Sequence, residues 1–208
     1  MAALRIGVVD TGVNPWHSHV RGRVTGCRVH LGRDGKVEED SDFSDSIGHG
    51  TAVAGVIREA FPDAEIFAVR VFDTEEFTYP TLIARGILRA AAERCAFINL
   101  SVAVPPGPGD ALVSAACAAA LAARCVLVAA VRPDRPDWLP ASVPGVHAVS
   151  VDETLACGEV LANGPLRLAA PGRARDLRFF ARESNFAGHS FACARALVHL
   201  ARQRLAQA

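Results

Sequence analysis

The sequence predicts an α/β fold in three layers, a mostly parallel β-sheet with helices on both of its faces. Short apolar runs alternate along the chain with longer, Ala-rich runs of helical character. The short runs are apolar without interruption, which is typical of strands buried on both faces of a parallel sheet. No repeat, low-complexity tract or linker divides the 208 residues, so we expect a single domain over residues 1–208.

The composition excludes several classes of function. Hydrophobic residues make up 50% of the chain and charged residues 21%, which is too apolar for a disordered chain. Basic and acidic residues number 22 each, so no net charge favours binding to nucleic acid or to a membrane. The sequence contains neither a run of roughly 18 apolar residues nor a secretory signal. We therefore expect a cytoplasmic protein, and the sequence leaves its oligomeric state open.

The first half of the chain predicts four strands and two helices. Residues 5–9 form an apolar run that ends in a turn cluster, and residues 32–36 have the composition of a hairpin turn. Apolar residues recur at helical spacing over residues 80–94. In chain order the predicted elements are strands at 5–9 and 23–31, a helix at 52–60 that opens at 48–51, a strand at 66–72, a helix at 80–94 and a strand at 96–100.

The second half continues the alternation and ends in a long helix. It predicts a helix at 110–124, a strand at 126–131, a Pro-rich loop, a strand at 146–151, short strands within 155–170 and a helix at 190–205. In parallel sheets functional groups gather at the carboxyl ends of the strands. Asp10 already lies at one such end, directly after the first strand.

The six cysteines show no metal-binding or disulfide pattern. No Cys-x-x-Cys pair is present, and four of the six lie in very apolar surroundings, at positions 95, 117, 125 and 193. A free cysteine in such surroundings behaves as a small hydrophobic residue. Without an export signal we expect reduced, buried thiols rather than disulfides.

Three short segments together supply the groups of a nucleophilic hydrolase. Asp10 ends a buried strand, His49 stands between two glycines at a helix start, and Ser190 begins the last helix. Each residue alone has an ordinary structural interpretation as a turn former or a helix cap. In combination, a hydroxyl nucleophile, an imidazole base and an orienting carboxylate are what acyl transfer requires.

The segments around these residues resemble the subtilisin-like serine peptidases. The Asp and His segments read "IGVVDTGVN" and "DSIGHGTAVAGVI", and the Ser segment reads "GHSFACARAL". Family-like strands read "FAVRVFD", "FINLSVA" and "VLVAAV", so the resemblance is collinear over residues 5–205. The resemblance implies a subtilisin-like fold and a serine endopeptidase that needs no metal or cofactor. It further implies that Asp10 orients the imidazole, that His49 is the general base and then the acid, and that Ser190 is the nucleophile.

The resemblance also implies a substrate-binding edge, formed here by Ser101, Val102 and Ala103, which lacks the family's usual Gly-Gly pair. The first strand begins at residue 4 or 5, so we expect no pro-segment and a chain that folds unaided.

The main departure from the family lies in the oxyanion hole. The family's Gly-Asn pair, whose Asn donates to the oxyanion, should follow the strand at 126–131. Residues 131–134 read "VRPD" instead. The remaining candidate donors are the backbone N–H of Ser190 and the side chains of Arg132 and His189.

Two functions follow from this pattern. The first is a serine endopeptidase that cuts a peptide or protein substrate, with an atypical oxyanion hole that suits a selective processing enzyme. The alternative is a catalytically weak or inactive relative that binds a peptide or protein partner without cutting it.

Overall fold

The computed structural model describes residues 4–72, 77–179 and 181–207, and within them nine strands form one sheet. The strands are β1 (Arg5–Asp10), β2 (Val24–Leu31), β3 (Val37–Asp40), β4 (Glu65–Arg70), β5 (Phe97–Leu100), β6 (Val126–Ala130), β7 (His147–Val151), β8 (Leu161–Gly164) and β9 (Arg167–Ala170). The helices are α1 (His49–Ala60), α2 (Pro80–Ala92), α3 (Asp110–Ala122) and α4 (His189–Ala206).

The sheet is parallel except at its two edges. Its strand order is β3-β2-β4-β1-β5-β6-β7-β9-β8, and only β3 and β8 run antiparallel to their neighbours among the described strands. The inner strand β1 pairs with β4 over its whole length and with β5 from Ile6 to Val9. The carboxyl ends of β1, β4 and β5 therefore meet at one edge of the sheet.

Each face of the sheet is covered by its own pair of helices. Helices α2 and α3 pack on one face, around Ile83, Ile98 and Leu127, which are fully buried. Helices α1 and α4 pack on the other face, around Phe97 and Phe191. This arrangement confirms the predicted three-layer α/β fold and its mostly parallel sheet, and it brings the first residues of α1 and α4 to the edge where β1 ends.

Helices α2 and α3 end in the same way. Arg94 and Arg124 take the left-handed conformation, with φ angles of 58° and 64°. The backbone N–H of the following cysteine then donates back to a helical carbonyl, from Cys95 to Ala90 at 3.2 Å and from Cys125 to Ala120 at 3.0 Å. These are the bonds of a Schellman motif, which terminates each helix and turns the chain into the next strand.

The observed elements differ from the predicted ones at two places: β3, after the hairpin turn at 32–36, was not predicted, and the bounds change in the segment before α4. The predicted short strands within 155–170 are confirmed as β8 and β9, but residues 155–160 form turns, with Leu155 and Glu159 donating backbone bonds to Asp152 and Ala156. No helix among the described residues is both long and apolar enough to cross a membrane.

The structure confirms that the cysteines are free thiols and that the four predicted positions are buried. It adds Cys27 to the buried set, on β2 against the core under α2. Cys157 is the exposed cysteine.

Candidate active site

Asp10 and His49 form a hydrogen-bonded pair at the carboxyl end of β1. Oδ1 of Asp10 lies 2.7 Å from Nδ1 of His49 and accepts a further bond of 2.7 Å from the Thr11 backbone N–H. A carboxylate only accepts, so Nδ1 of His49 carries the proton and Nε2 retains the basic lone pair. The Asp10 side chain is 1% exposed and that of His49 is 25% exposed, so the acid is enclosed while the imidazole reaches the surface.

Glycine at position 50 allows this pair to approach. A Cβ atom on Gly50 would lie 2.1 Å from the carbonyl oxygen of Gly12 and 3.1 Å from Oδ1 of Asp10. Real Cβ atoms essentially never come so close to a backbone oxygen. The start of α1 can therefore pack against the end of β1 only when residue 50 has no side chain.

Asp45 holds the start of α1 in place. Its carboxylate accepts five hydrogen bonds, from Thr11 Oγ1 at 2.9 Å, Ile47 N at 3.1 Å, Gly48 N at 2.7 Å, Thr51 N at 2.9 Å and Thr51 Oγ1 at 2.5 Å. Gly48 precedes the helix and has no side chain to cap it, so Asp45 takes over the capping of the first turn. Thr11, which follows Asp10, in turn accepts from the Gly50 N–H at 2.9 Å.

Neither Asp45 nor Thr11 was predicted from the sequence as part of the site. A signal was nevertheless present, because a glycine at the cap position of α1 leaves the first helical N–H groups without a side-chain acceptor. An acid shortly before such a glycine, here Asp45, is a natural candidate for that acceptor.

Ser190 is the second residue of α4 and is partly exposed. Its neighbour Phe191 is fully buried, and the ring of Phe191 lies 5.4 Å from that of His49, centroid to centroid. Phe186 contacts the imidazole edge-on at 5.8 Å. The structure thus brings the first turn of α4 against His49, at the same edge of the sheet where Asp10 lies.

The two predicted oxyanion side chains, His189 and Arg132, lie at the start of α4 and just after the end of β6. His189, the first residue of α4, accepts a 3.1 Å bond at Nδ1 from the backbone N–H of Val151. Arg132 follows β6, is exposed, and forms a two-pronged ion pair with Asp134 at 3.1 and 2.9 Å.

The predicted substrate-binding residues follow directly after β5. Ser101 accepts a 2.7 Å bond at Oγ from Nδ2 of the fully buried Asn99, and Val102 is buried while Ala103 is exposed. The next residue, Val104, exchanges both backbone hydrogen bonds with Leu139, at 2.9 and 3.0 Å. The pairing of Val104 with Leu139 therefore ends this edge at Ala103.

These features define an α/β protein that carries a hydrogen-bonded acid–imidazole pair at the carboxyl edge of a parallel sheet, beside the start of a serine-bearing helix. A model of the subtilase family (peptidase family S8) matches residues 2–175, which is most of the chain, and Ser190 lies beyond the matched residues. The chain belongs to the subtilase family.

Comparison with individual proteins agrees with this assignment. The chain is 36% identical to thermitase of Thermoactinomyces vulgaris over 108 residues, which cover 47% of the chain and 37% of thermitase. It is 33% identical over 167 residues to the subtilisin-like proteinase Mp1 of Magnaporthiopsis poae, covering 72% of the chain and 39% of Mp1. The chain thus spans well under half the length of these relatives.

A solved structure shares the fold. The epidermin leader peptide processing serine protease EpiP of Staphylococcus aureus superposes with a TM-score of 0.72 at 18% sequence identity. The superposition covers 97% of this chain and 65% of EpiP.

Proposed function

We propose that this chain is a serine endopeptidase in which Asp10, His49 and Ser190 act as a catalytic triad. The observation that carries the proposal is the 2.7 Å bond between the buried Asp10 carboxylate and Nδ1 of His49, beside the first turn of α4. This bond fixes the tautomer that a general base needs, with Nε2 unprotonated. The family assignment supports the same chemistry.

The reaction proceeds in two stages. Nε2 of His49 takes the proton of the Ser190 hydroxyl while Oγ attacks the peptide carbonyl carbon, and the carbonyl oxygen becomes an oxyanion. The intermediate collapses when His49 gives that proton to the leaving amine, and an acyl-enzyme remains. Water, deprotonated by His49, then attacks the ester carbonyl. The second intermediate releases the acid as the bond to Oγ breaks and His49 returns the proton to Oγ of Ser190. Asp10 keeps its hydrogen bond to Nδ1–H of His49 throughout and stabilises the imidazolium that forms at each stage.

The geometry of the substrate edge favours a selective enzyme. Ser101, Val102 and Ala103 offer backbone groups to an extended peptide, and the pairing of Val104 with Leu139 limits the length of that edge. A short edge leaves selectivity to side-chain contacts of one particular substrate. We therefore place the chain among processing peptidases, the role that EpiP has for a leader peptide.

A serine-directed fluorophosphonate probe tests the proposed chemistry. We expect it to label the native chain on Ser190 and to leave S190A unlabelled, because the probe reacts only with an activated hydroxyl. H49A should lose labelling as well, since no base remains. Absence of labelling in the native chain, or equal labelling of S190A, contradicts the proposal.

A second function, peptide binding without cleavage, is favoured by one observation. Residues 131–134 contain no Asn to complete the oxyanion hole. Incubation with a diverse peptide library, read by mass spectrometry, separates the two functions. New peptide termini support the endopeptidase, whereas intact captured peptides together with an unlabelled Ser190 support the binding protein.

A further inference from the structure

The proposed reaction needs two hydrogen-bond donors at the oxyanion, and the backbone supplies one. Ser190 lies in the first turn of α4, where backbone N–H groups are free of helical partners and the helix dipole is positive. Its own N–H can therefore face the oxyanion. The second donor must come from a group beside this turn. The two candidate side chains are His189, which begins the turn, and Arg132, whose charge acts on His189.

The hydrogen bond to Val151 fixes the tautomer of His189. A backbone N–H can only donate, so Nδ1 of His189, 3.1 Å from the Val151 nitrogen, must present a lone pair. The ring proton then lies on Nε2. The Nδ1 atom of His189 is thus occupied as an acceptor. The Nε2–H group has no protein partner among the described residues.

The sheet explains why this bond forms and where it places the ring. Successive N–H groups of a strand point to alternate sides. Asp152 N donates towards β9, to Ala170 at 3.0 Å, so Val151 N faces β6. The last β6–β7 ladder bond runs from Val131 N to Val149 O at 2.8 Å, after which β6 leaves the sheet. The His189 ring, which bonds to Val151 N, lies at this gap, and Ser190 is the next residue of α4.

The environment of His189 keeps the ring neutral. Burial lowers the pKa of His189, and the nearby Arg132 guanidinium lowers it further, against a smaller opposing effect of Asp134. A neutral ring with a fixed tautomer is a donor that needs no reorganisation when negative charge develops. Arg132, by contrast, is exposed and already holds the Asp134 carboxylate.

We infer that the Nε2–H of His189 is the second oxyanion donor, so that His189 takes over in this chain the role of the absent Asn side chain. The inference rests on the proposed function, because an oxyanion forms only when Ser190 attacks a carbonyl. When the C=O double bond opens, its electron pair moves to the oxygen, which accepts hydrogen bonds from Ser190 N–H and His189 Nε2–H.

Two substitutions with opposite expectations test the inference. In H189Q the side-chain amide can accept from Val151 through Oε1 and still donate through Nε2, whereas H189L fills the space with no donor. We expect acylation by p-nitrophenyl acetate, followed as the p-nitrophenolate burst, to slow about 100- to 1,000-fold in H189L, the usual cost of one lost oxyanion donor. H189Q should stay within about tenfold of the native rate.

H199L is the matched control, because His199 lies two or three turns further along α4 and bonds to Gln203 at the surface. It should acylate at the native rate, and the thermal unfolding midpoints of all variants verify folding. A folded H189L that acylates like the native chain overturns the inference, as does a folded H189Q as slow as H189L. If acylation slows in R132Q and keeps the native rate in H189L, the role of second oxyanion donor belongs to Arg132. Failure of the native chain to react with p-nitrophenyl acetate and fluorophosphonate overturns the proposed function itself.

Discussion

At the scale of single residues, the site depends on small distances around Gly50. The carbonyl of Gly12 and the carboxylate of Asp10 occupy the space that a Cβ atom on Gly50 would need. The position of His49 relative to Asp10 is therefore set by the absence of a side chain one residue further along. Glycines near a catalytic residue are easily treated as flexible, but here the requirement is close contact.

We expect G50A to lower activity about a hundredfold, because a catalytic group displaced by about 1 Å loses its reactive geometry. The added methyl should also destabilise the fold by about 1–3 kcal/mol, as overpacking does. The fluorophosphonate labelling rate and a urea titration measure the two effects. G107A is the control, since no atom lies within 4 Å of a Cβ at Gly107 and its backbone is not strained. Equal labelling of G50A and G107A would refute the argument.

The cysteines give a second prediction at this scale. Burial raises the pKa of Cys27 to about 11 and those of Cys95 and Cys117 to about 12, and it raises the pKa of Cys193 and Cys125 as well. Thiolate is the reactive form, so at pH 8 these buried groups are almost entirely unreactive. Iodoacetamide should therefore modify the exposed Cys157 alone in the native chain. Peptide mapping checks this, and the unfolded chain should take up six labels.

At the scale of elements, the start of α1 is stabilised by the loop before it. Asp45 bonds to Thr11 on one side and to the first turn of α1 on the other. One carboxylate therefore holds the end of β1 and the start of α1 together. Arg70, at the end of β4, donates to the Ser44 carbonyl at 3.2 Å and so anchors this loop to the sheet. The end of β1, the loop that holds Asp45 and the end of β4 thereby position His49 together.

We expect D45N to lower kcat about a hundredfold with little change in KM, because the amide Nδ2–H2 would face the donors of Thr51 and shift the helix start. The lost cap should also cost about 1 kcal/mol of stability. D42N is the control, because Asp42 lies on the same loop but bonds to Ser44 and Arg70 rather than to α1. Peptide cleavage assays separate kcat from KM. A rise in KM alone in D45N would show that Asp45 contacts substrate instead.

The elements also show what the sequence can predict. The bounds of β6 and α2 were predicted within a few residues. Burial on both faces makes the sequence of β6 apolar without interruption, and burial of one face gives α2 apolar residues at helical spacing. The proximity of Asp10 and His49 was predicted from the combination of an acid, an imidazole and a hydroxyl in one chain and from the resemblance to the subtilisin-like peptidases. Asp45 was missed because its signal, a glycine at the cap position of α1, does not by itself choose among the several acids that precede that glycine. The tautomer of His189 depends on a gap between β6 and β7 that has no sequence signature.

At the scale of the whole molecule, the stability should decline in mild acid. Burial lowers the pKa of His147 and His189, and burial together with Arg175 lowers that of His19. Groups with a lowered pKa favour the folded state above their unfolded value of about 6.5, and this contribution is lost as pH falls through the lower folded value. The unfolding midpoint should therefore decrease below pH 6.5.

H147Q should reduce this decrease, because His147 has a buried Nδ1 without a hydrogen-bond partner among the described residues. Thermal unfolding monitored by circular dichroism between pH 7.5 and 5 measures the effect. H199Q changes a residue at the surface of α4, and its unfolding midpoint should decrease with pH as that of the native chain does. An unfolding midpoint of the native chain that is constant over this range would contradict the pKa directions.

The placement of Asp10 and His49 in the first quarter of the chain, and of Ser190 on the last helix, has a consequence during protein synthesis. A ribosome releases the acid and the base well before the hydroxyl, and α4 can pack onto the sheet only after β1 to β9 have emerged. If the proposed triad carries the reaction, the nascent chain cannot hydrolyse a peptide before α4 has packed against His49. The order of the three groups along the chain would thus delay the proposed hydrolysis until the sheet is in place.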